Sequence, residues 1–251
     1  MGSVKRSEPF GSLGGPDITV NAALAAVYGL KHAWFQKWCV HLRLRPEVYA
    51  QRLELFRRGT FGQLFDPTFK QLFGKGADVW EKTKVRDRII QHNKLQNIKF
   101  GRGDKEGTLL LPMAFPEGSP AHPSYPGGHS AFIAAGATIA KAFFVDEPIA
   151  SPVVPTADGQ GLTAYTGGET LTVHGELNKL IANVTLFRDG AGMHWRTDGT
   201  TSGASGLHTP TGGNVLGEIM AVSMLRDIKE TYREEVRDFC FNGIRGNKIT
   251  I

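Results

Sequence analysis

The sequence predicts a mainly α protein, a helical bundle with its functional loops gathered at one end and a small β-hairpin at the C-terminus. Three observations carry this. Helical apolar patterns recur along the chain, Gly-, Pro- and Thr-rich stretches separate them, and the tail 241–251 alternates apolar and polar residues. A chain of 251 residues with 41% apolar and 21% charged content fits one globular domain with a proper core.

Taken in order, residues 1–16 read as a flexible arm ended by Gly11, Gly14, Gly15 and Pro16, and residues 17–251 as a single helical domain. Asp17 or Thr19 is placed to cap a long helix whose pattern runs from about Val20 to Pro46. On it Ala23, Leu24, Ala26, Val27, Leu30, Trp34 and Phe35 cover more than one stripe, so the helix needs partners on more than one side. Self-association into a homodimer or larger homo-oligomer satisfies that need; residues 59–127 folding back over the helix is the alternative. Pro46 favours the first turn of a second helix over residues 46–57. Residues 59–127 read as loops with one helical piece at 78–93. Helices follow at 130–144, 174–187 and 213–238, joined by a Pro-, Thr- and Gly-rich loop at 146–173 and a second loop at 190–212. Asn242-Gly243 and Gly246-Asn247 then mark the terminal hairpin.

Three blocks carry chemistry. In His122-Pro123-Ser124-Tyr125-Pro126-Gly127-Gly128-His129-Ser130, two prolines and two glycines tighten a turn directly before an Ala-rich helix. Backbone amides at a helix N-terminus lack internal partners and sit at the positive end of the macrodipole, which makes an anion site, and a neighbouring imidazole can shuttle protons. In Lys37-Trp38-Cys39-Val40-His41-Leu42-Arg43-Leu44-Arg45-Pro46, eight residues of α-helix return to within about 80° of the starting direction, so Lys37 and Arg45 can lean toward one site. In Arg188-Asp189-Gly190-Ala191-Gly192-Met193-His194-Trp195-Arg196-Thr197-Asp198, a Gly-rich break ends a helix and turns the chain toward His194. Each block alone has a plain structural explanation: a tight loop, a solvated basic face, and a helix end with a stray histidine.

Together the blocks resemble the vanadium-dependent haloperoxidases, and more distantly the type 2 phosphatidic acid phosphatases that share their anion pocket. The superfamily pattern is a Lys and an Arg-Pro on one helix, then Pro-Ser-Gly-His, then Arg-x5-His-x3-Asp. Residues 36–47, 116–129 and 175–184 are similar to the algal-type bromoperoxidase branch, and the resemblance spans most of 16–251. It implies a helical bundle of the haloperoxidase and acid phosphatase type with vanadate as cofactor, a group whose place phosphate can take. It implies that His194 is the residue bonded to the metal. Lys37, Arg45, Arg188 and the Gly127-Gly128 turn, through its Gly128 amide, hold the oxyanion. His129 is the acid–base residue, Lys37 polarises bound peroxide, His122 is a second catalytic histidine of the bromide-using branch, and Asp198 orients a site Arg or His. Hydrogen peroxide, a halide and a small organic substrate are the implied reactants, with bromide or iodide used far better than chloride.

Two departures stand out. Gly127 replaces the family serine, whose hydroxyl hydrogen bond to a charged partner is worth roughly 1.5–3 kcal/mol where no water replaces it. The resemblance also covers only the C-terminal half of the longer algal-type relatives. An insert at 200–213 follows the third block and is expected to form a loop near the site.

The net charge of +5 and pI near 9.2 do not indicate nucleic acid, because several cations belong to the blocks above and the rest are mixed with acids, as in residues 81–88. Two cysteines make no disulfide framework; Cys39 is expected to be packed, and a bridge to Cys240 is a minor alternative. Trp38 and Trp195 are expected to pack beside the blocks. The first ten residues show no signal-peptide pattern and no apolar run reaches membrane-spanning length, so the expectation is a soluble protein without membrane partners. Two other functions are open to the same residues. A phosphatase would use His194 as nucleophile and His129 as general acid, and a non-catalytic oxyanion-binding homologue would have lost activity with the serine.

Overall fold

The structure is a computed structural model that describes residues 10–60, 67–74, 83–103, 105–202, 208–210, 212–232 and 238–251. Its elements in chain order are α1 (Gly15–Phe35), a π-helical turn (Gln36–His41), α2 (Pro46–Arg57), α3 (Pro67–Phe73), α4 (Lys84–Lys99), α5 (Gly128–Phe143), β1 (Val153–Pro155), β2 (Leu162–Ala164), α6 (Val173–Gly190), α7 (Arg196–Gly199), β3 (Thr200–Ser202), β4 (His208–Pro210), α8 (Gly212–Thr231), β5 (Cys240–Asn242) and β6 (Lys248–Thr250). The fold is mainly helical, and β1–β2, β3–β4 and β5–β6 are each a separate antiparallel pair. The chain divides into two compact units, residues 1–42, 125–187 and 196–251 forming one, residues 43–124 and 188–195 the other.

In the first unit α5 packs against α1 and α8. The small side chains of α5 allow close approach, and the core adds Ile139, Phe143, Leu225 and the hairpin residue Phe241. α1 buries a stripe at four-residue spacing, Ala25, Gly29 and Ala33, which continues into buried Lys37. A Cβ at Gly29 would lie 3.0 Å from the Ala131 carbonyl oxygen. One at Gly217 would collide with that same oxygen from the α8 side. The opposite face of α1 leaves Leu24, Val27, Trp34 and Phe35 exposed.

α1 starts earlier than its apolar pattern, because Pro16 occupies its first turn and Gly14 its N-cap. Asp17 does not cap the amides of α1. It accepts from the Leu13 amide (2.7 Å), the Asn21 side chain (2.6 Å) and the Tyr232 hydroxyl (2.6 Å), tying the helix start to the end of α8. The expected α-helical step from Lys37 to Arg45 is not formed. The π turn closes when the Leu42 amide donates to the Lys37 carbonyl (3.0 Å), Leu42 takes a left-handed φ of 48°, and 42–45 is not helical. Cys39 is exposed rather than packed, and both cysteines are free thiols. Trp38 is likewise 53% exposed, against the expectation of packing.

Lys141 is fully buried where α5, α6 and the terminal hairpin meet. Its ammonium donates to Asn178 Oδ1 and to the Asn242 carbonyl, both at 2.9 Å, and lies 5.8 Å from the centre of the Phe241 ring. Burial pushes its pKa from 10.5 down to about 8, against the attraction of Glu218.

In the second unit α2 carries buried Glu54. Its carboxylate accepts from Arg57 (2.8 and 3.0 Å), from Arg58 and from the Leu109 amide (2.8 Å), pinning the 109 segment to the helix. Burial raises this carboxyl, but those donors outweigh it and hold its pKa at about 2. Phe69 and Phe73 of α3 pack on Tyr49, with ring centres 5.8 and 5.9 Å away. α4 begins at the cap residue Thr83 and runs to Lys99, past the expected end; residues 78–82 lie outside the described ones. α3 and the β1–β2 pair form where loops were expected, and in the insert at 200–213 residues 200–202 and 208–210 form a strand pair while 212–213 begin α8.

Two outcomes follow from this packing. Gly217→Ala forces α8 off α5 and is expected to lower unfolding stability by about 1–3 kcal/mol, the range of core overpacking, measured by urea denaturation. An unchanged midpoint would mean the helices part without cost. For Lys141, the unfolded chain keeps its proton up to about 10.5 while the fold releases it near 8. Stability therefore rises with pH across that window. Lys141→Met should remove that rise, seen as a flatter dependence of melting temperature on pH between about 8 and 10.5.

Candidate active site

The first unit holds Lys37, Gly127, Gly128, His129 and Asp198. Gly127 is the N-cap of α5, with extended backbone (φ −64°, ψ 117°). Its amide donates to the Asp198 carbonyl (2.8 Å) and its own carbonyl accepts from the Ala131 amide (3.0 Å), so the turn before the helix is held from both sides. Asp198 is fully buried in α7, and its main chain fixes the cap. Gly128 is buried in the first helical position. A Cβ there would lie 3.2 Å from Leu30 Cδ1 and 3.9 Å from Lys37 Cε, so the structure brings the Lys37 chain beside this glycine. The buried Lys37 side chain thus runs past the first turn of a 16-residue helix. His129, the next residue, is exposed, with its ring centre 5.2 Å from Phe132.

The second unit holds Arg45, His122, Arg188 and His194. Arg45, 3% exposed, sits just before α2 and is the hub of this group. Nε donates to the His122 carbonyl (2.9 Å) and Nη1 to the Met193 carbonyl (2.8 Å). Nη1 also lies 2.9 Å from His194 Nε2, and Nη2 lies 3.0 Å from His122 Nδ1. A guanidinium only donates, so both of these ring nitrogens present lone pairs to it. A weaker 3.3 Å approach of His122 Nδ1 to the Pro123 carbonyl would require the opposite tautomer, and the shorter contact to a cation prevails.

Arg188 lies in the last turn of α6, and its Nε is buried without a hydrogen-bond partner among the described residues. Burial lowers its pKa from the ordinary arginine value. The turn that follows depends on Gly192, at φ 84°, where a Cβ would also press on Met113 Sδ at 2.9 Å. Trp195 packs as expected: its indole donates to the Leu44 carbonyl (2.8 Å) and meets Tyr49 edge-on at 5.7 Å. Arg43, Leu44, Tyr49 and Trp195 line an open cavity of about 430 Å³. Sequence reading passed over Arg43 and Tyr49, whose signal was their place beside Arg45 and on the first turn of α2.

Each unit by itself carries groups of the kind that bind oxyanions. In the second, Arg45 and Arg188 supply N–H forks, one of them with a buried donor left over; in the first, Lys37 is a buried cation and Gly128 leaves its helix N-terminus uncovered by a side chain.

No family model matches the chain. Among curated proteins it is 35% identical over 215 residues to a vanadium-dependent bromoperoxidase of Ascophyllum nodosum, covering 84% of this chain and 34% of that protein. It is 36% identical over 220 residues to a vanadium-dependent bromoperoxidase of Corallina pilulifera, covering 86% and 33%. Among solved structures it is similar to the second vanadate-dependent bromoperoxidase (AnII) of Ascophyllum nodosum, a homohexamer, with a TM-score of 0.74, 26% identity, and coverage of 98% of this chain and 42% of that one. The fold is that of a bromoperoxidase, and the chain is a homologue of the vanadium-dependent bromoperoxidases over most of its length. It spans about a third of the length of the curated relatives it matches. Among the described residues no helix is long and apolar enough to cross a membrane.

Proposed function

We propose that this chain is a vanadate-dependent haloperoxidase that oxidises bromide or iodide with hydrogen peroxide to a hypohalous acid equivalent, which halogenates small organic substrates. Its homology to bromoperoxidases supports this, and the observation that carries it is the Arg45 guanidinium held against His194 Nε2. Because a guanidinium only donates, that contact presents an unprotonated Nε2 beside a cation; a bound metal would take the lone pair, and the freed Arg45 N–H groups would turn to the vanadate oxygens. Vanadate, when bound, supplies Lewis-acid activation of peroxide at constant oxidation state, without haem, flavin or nicotinamide.

The chain's own residues do the rest. His194 is the ligand to the metal. Lys37, Arg45, Arg188 and the Gly128 amide compensate the charge of the oxygens, which burial would otherwise make prohibitive. Lys37 adds a point charge that polarises bound peroxide. His129 takes the proton from hydrogen peroxide and, being exposed, returns it to water. His122, fixed by Arg45 through its ring and its carbonyl, is the second catalytic histidine. Asp198 positions the Gly127 turn through its carbonyl, in addition to the orienting role read from the sequence. Phosphate is expected to occupy the same site as a competitor.

Activity with bromide and peroxide is expected to require vanadate and to fall as phosphate is added, with chloride used poorly. His194→Ala should abolish vanadate binding, and His129→Ala should leave it bound while slowing turnover by about 10²–10⁴-fold. Full activity in phosphate-saturated protein, or hydrolysis of phosphomonoesters in place of halide oxidation, would overturn the reading.

We also propose that the exposed apolar face of α1, with Leu24, Val27, Trp34 and Phe35, packs against a second copy in a homo-oligomer. The homohexameric relative supports this. Sedimentation should then show mass above 27.4 kDa at micromolar concentration, and a fully active monomer would refute it.

A further inference from the structure

Arg43, Leu44, Tyr49 and Trp195, all in the second unit, surround the open cavity of about 430 Å³, a size within the roughly 300–1,000 Å³ usual for sites that take small molecules. Its walls are held in place. The Ser124 amide donates to the Arg43 carbonyl and the Trp195 indole to the Leu44 carbonyl, both at 2.8 Å. Tyr49 meets the rings of Trp195, Phe69 and Phe73 at 5.7, 5.8 and 5.9 Å. The indole N–H is the one polar group of the Trp195 side chain, so what its ring offers the cavity is carbon. The Arg43 guanidinium carbon stands 5.6 Å from the centre of that ring, which sets a cation beside an aromatic wall. The same two segments carry the hub of the candidate site. Leu44 precedes Arg45, Trp195 follows His194, and Arg45 Nη1 lies 2.9 Å from His194 Nε2.

We infer that this cavity binds a single aromatic ring bearing an acid group, with the ring against Trp195 and Tyr49 and the acid oxygens on Arg43. Aromatic walls favour a flat ring, stacked or edge-on, over an aliphatic body of the same size. A guanidinium selects an anionic substituent through its paired N–H donors. The inference deepens the haloperoxidase reading and rests on it for one point, the use made of the bound ring. A hypobromous acid equivalent brominates an electron-rich ring carbon: the O–Br and C–H bonds break, a C–Br bond forms, and the released proton joins the hydroxide as water. The cavity thus supplies the organic acceptor from the segments that flank Arg45 and His194.

Calorimetric titration of the whole chain with 4-hydroxybenzoate, in the absence of peroxide and halide, tests the binding. Cyclohexanecarboxylate keeps the charge without the aromatic ring, and phenol keeps the ring without the carboxylate; each should bind weaker by about tenfold or more. Arg43→Gln should bring hydroxybenzoate down to the affinity of phenol while phenol itself is unchanged, and Arg43→Lys should restore part of the loss. Trp195→Leu should weaken both aromatic ligands. Leu44→Trp fills the space and should abolish binding of both, which keeps the test open if the Trp195 variant does not fold. Absence of hydroxybenzoate binding, equal affinity for cyclohexanecarboxylate, or unchanged affinity in Arg43→Gln and Leu44→Trp overturns the inference. Oxidation of iodide to triiodide with no organic acceptor present reads the haloperoxidase proposal separately. Its absence in a chain that binds hydroxybenzoate as expected overturns that proposal and the bromination step, and leaves the binding site standing.

Discussion

Three helices meet around one carbonyl. The Ala131 oxygen of α5 is approached by Gly29 of α1 and by Gly217 of α8, at separations that would leave a methyl group tight at Gly29 and in collision at Gly217. Backbones this close leave little freedom to slide, because interiors are packed to crystalline density and a shift of an ångström meets solid neighbours. Ala131 stands one turn from the start of α5, so the clamp fixes the helix where Gly127, Gly128 and His129 begin it. The same α1 stripe that supplies Gly29 ends in buried Lys37. Core and candidate chemistry are thus two ends of one packing arrangement.

The second unit solves a different problem with different means. Among the described residues hydrogen bonds place Arg45. One guanidinium serves two carbonyls and two imidazoles, and a planar fork does this where an ammonium, with its freely turning donors, would leave acceptors unmet. The aromatic cluster of Tyr49, Phe69 and Phe73 then supports α2 directly behind it. Rigid apolar packing and a directional polar hub each hold a set of cations and histidines in a defined state.

Much of this was readable from the sequence where local physics dominates. Pro46 marked the start of α2, and the Ala-rich run after Gly127 marked α5, because both signals act within one turn. The terminal hairpin followed from Asn-Gly and Gly-Asn pairs beside alternating residues. The candidate site residues stood out as motifs, but the contacts they make did not. Nothing local says that the Gly127 amide finds the Asp198 carbonyl, or that Arg45 reaches His122 and His194 across about 77 and 149 positions of chain. α3 escaped notice because seven residues carry too little periodicity, and β1–β2 because three-residue strands look like loop. Cys39 and Trp38 read as core residues through their apolar character, yet they lie where the helix has already changed its pitch and turned them outward.

That change of pitch has its own consequence. In the π turn at Gln36–His41 the closing bond spans five residues, from the Leu42 amide to the Lys37 carbonyl, where an α-helix would span four. The turn holds one residue more than ordinary helix requires, and Leu42 accepts a left-handed backbone that costs of order 1 kcal/mol or more so that the chain can leave in its observed direction. The segment is therefore specified by its length as strictly as by its chemistry. Substitutions at exposed Trp38, Cys39 or Val40 leave the count intact, while loss of one of these residues would let ordinary helix resume and swing the exit of the chain by about 100°.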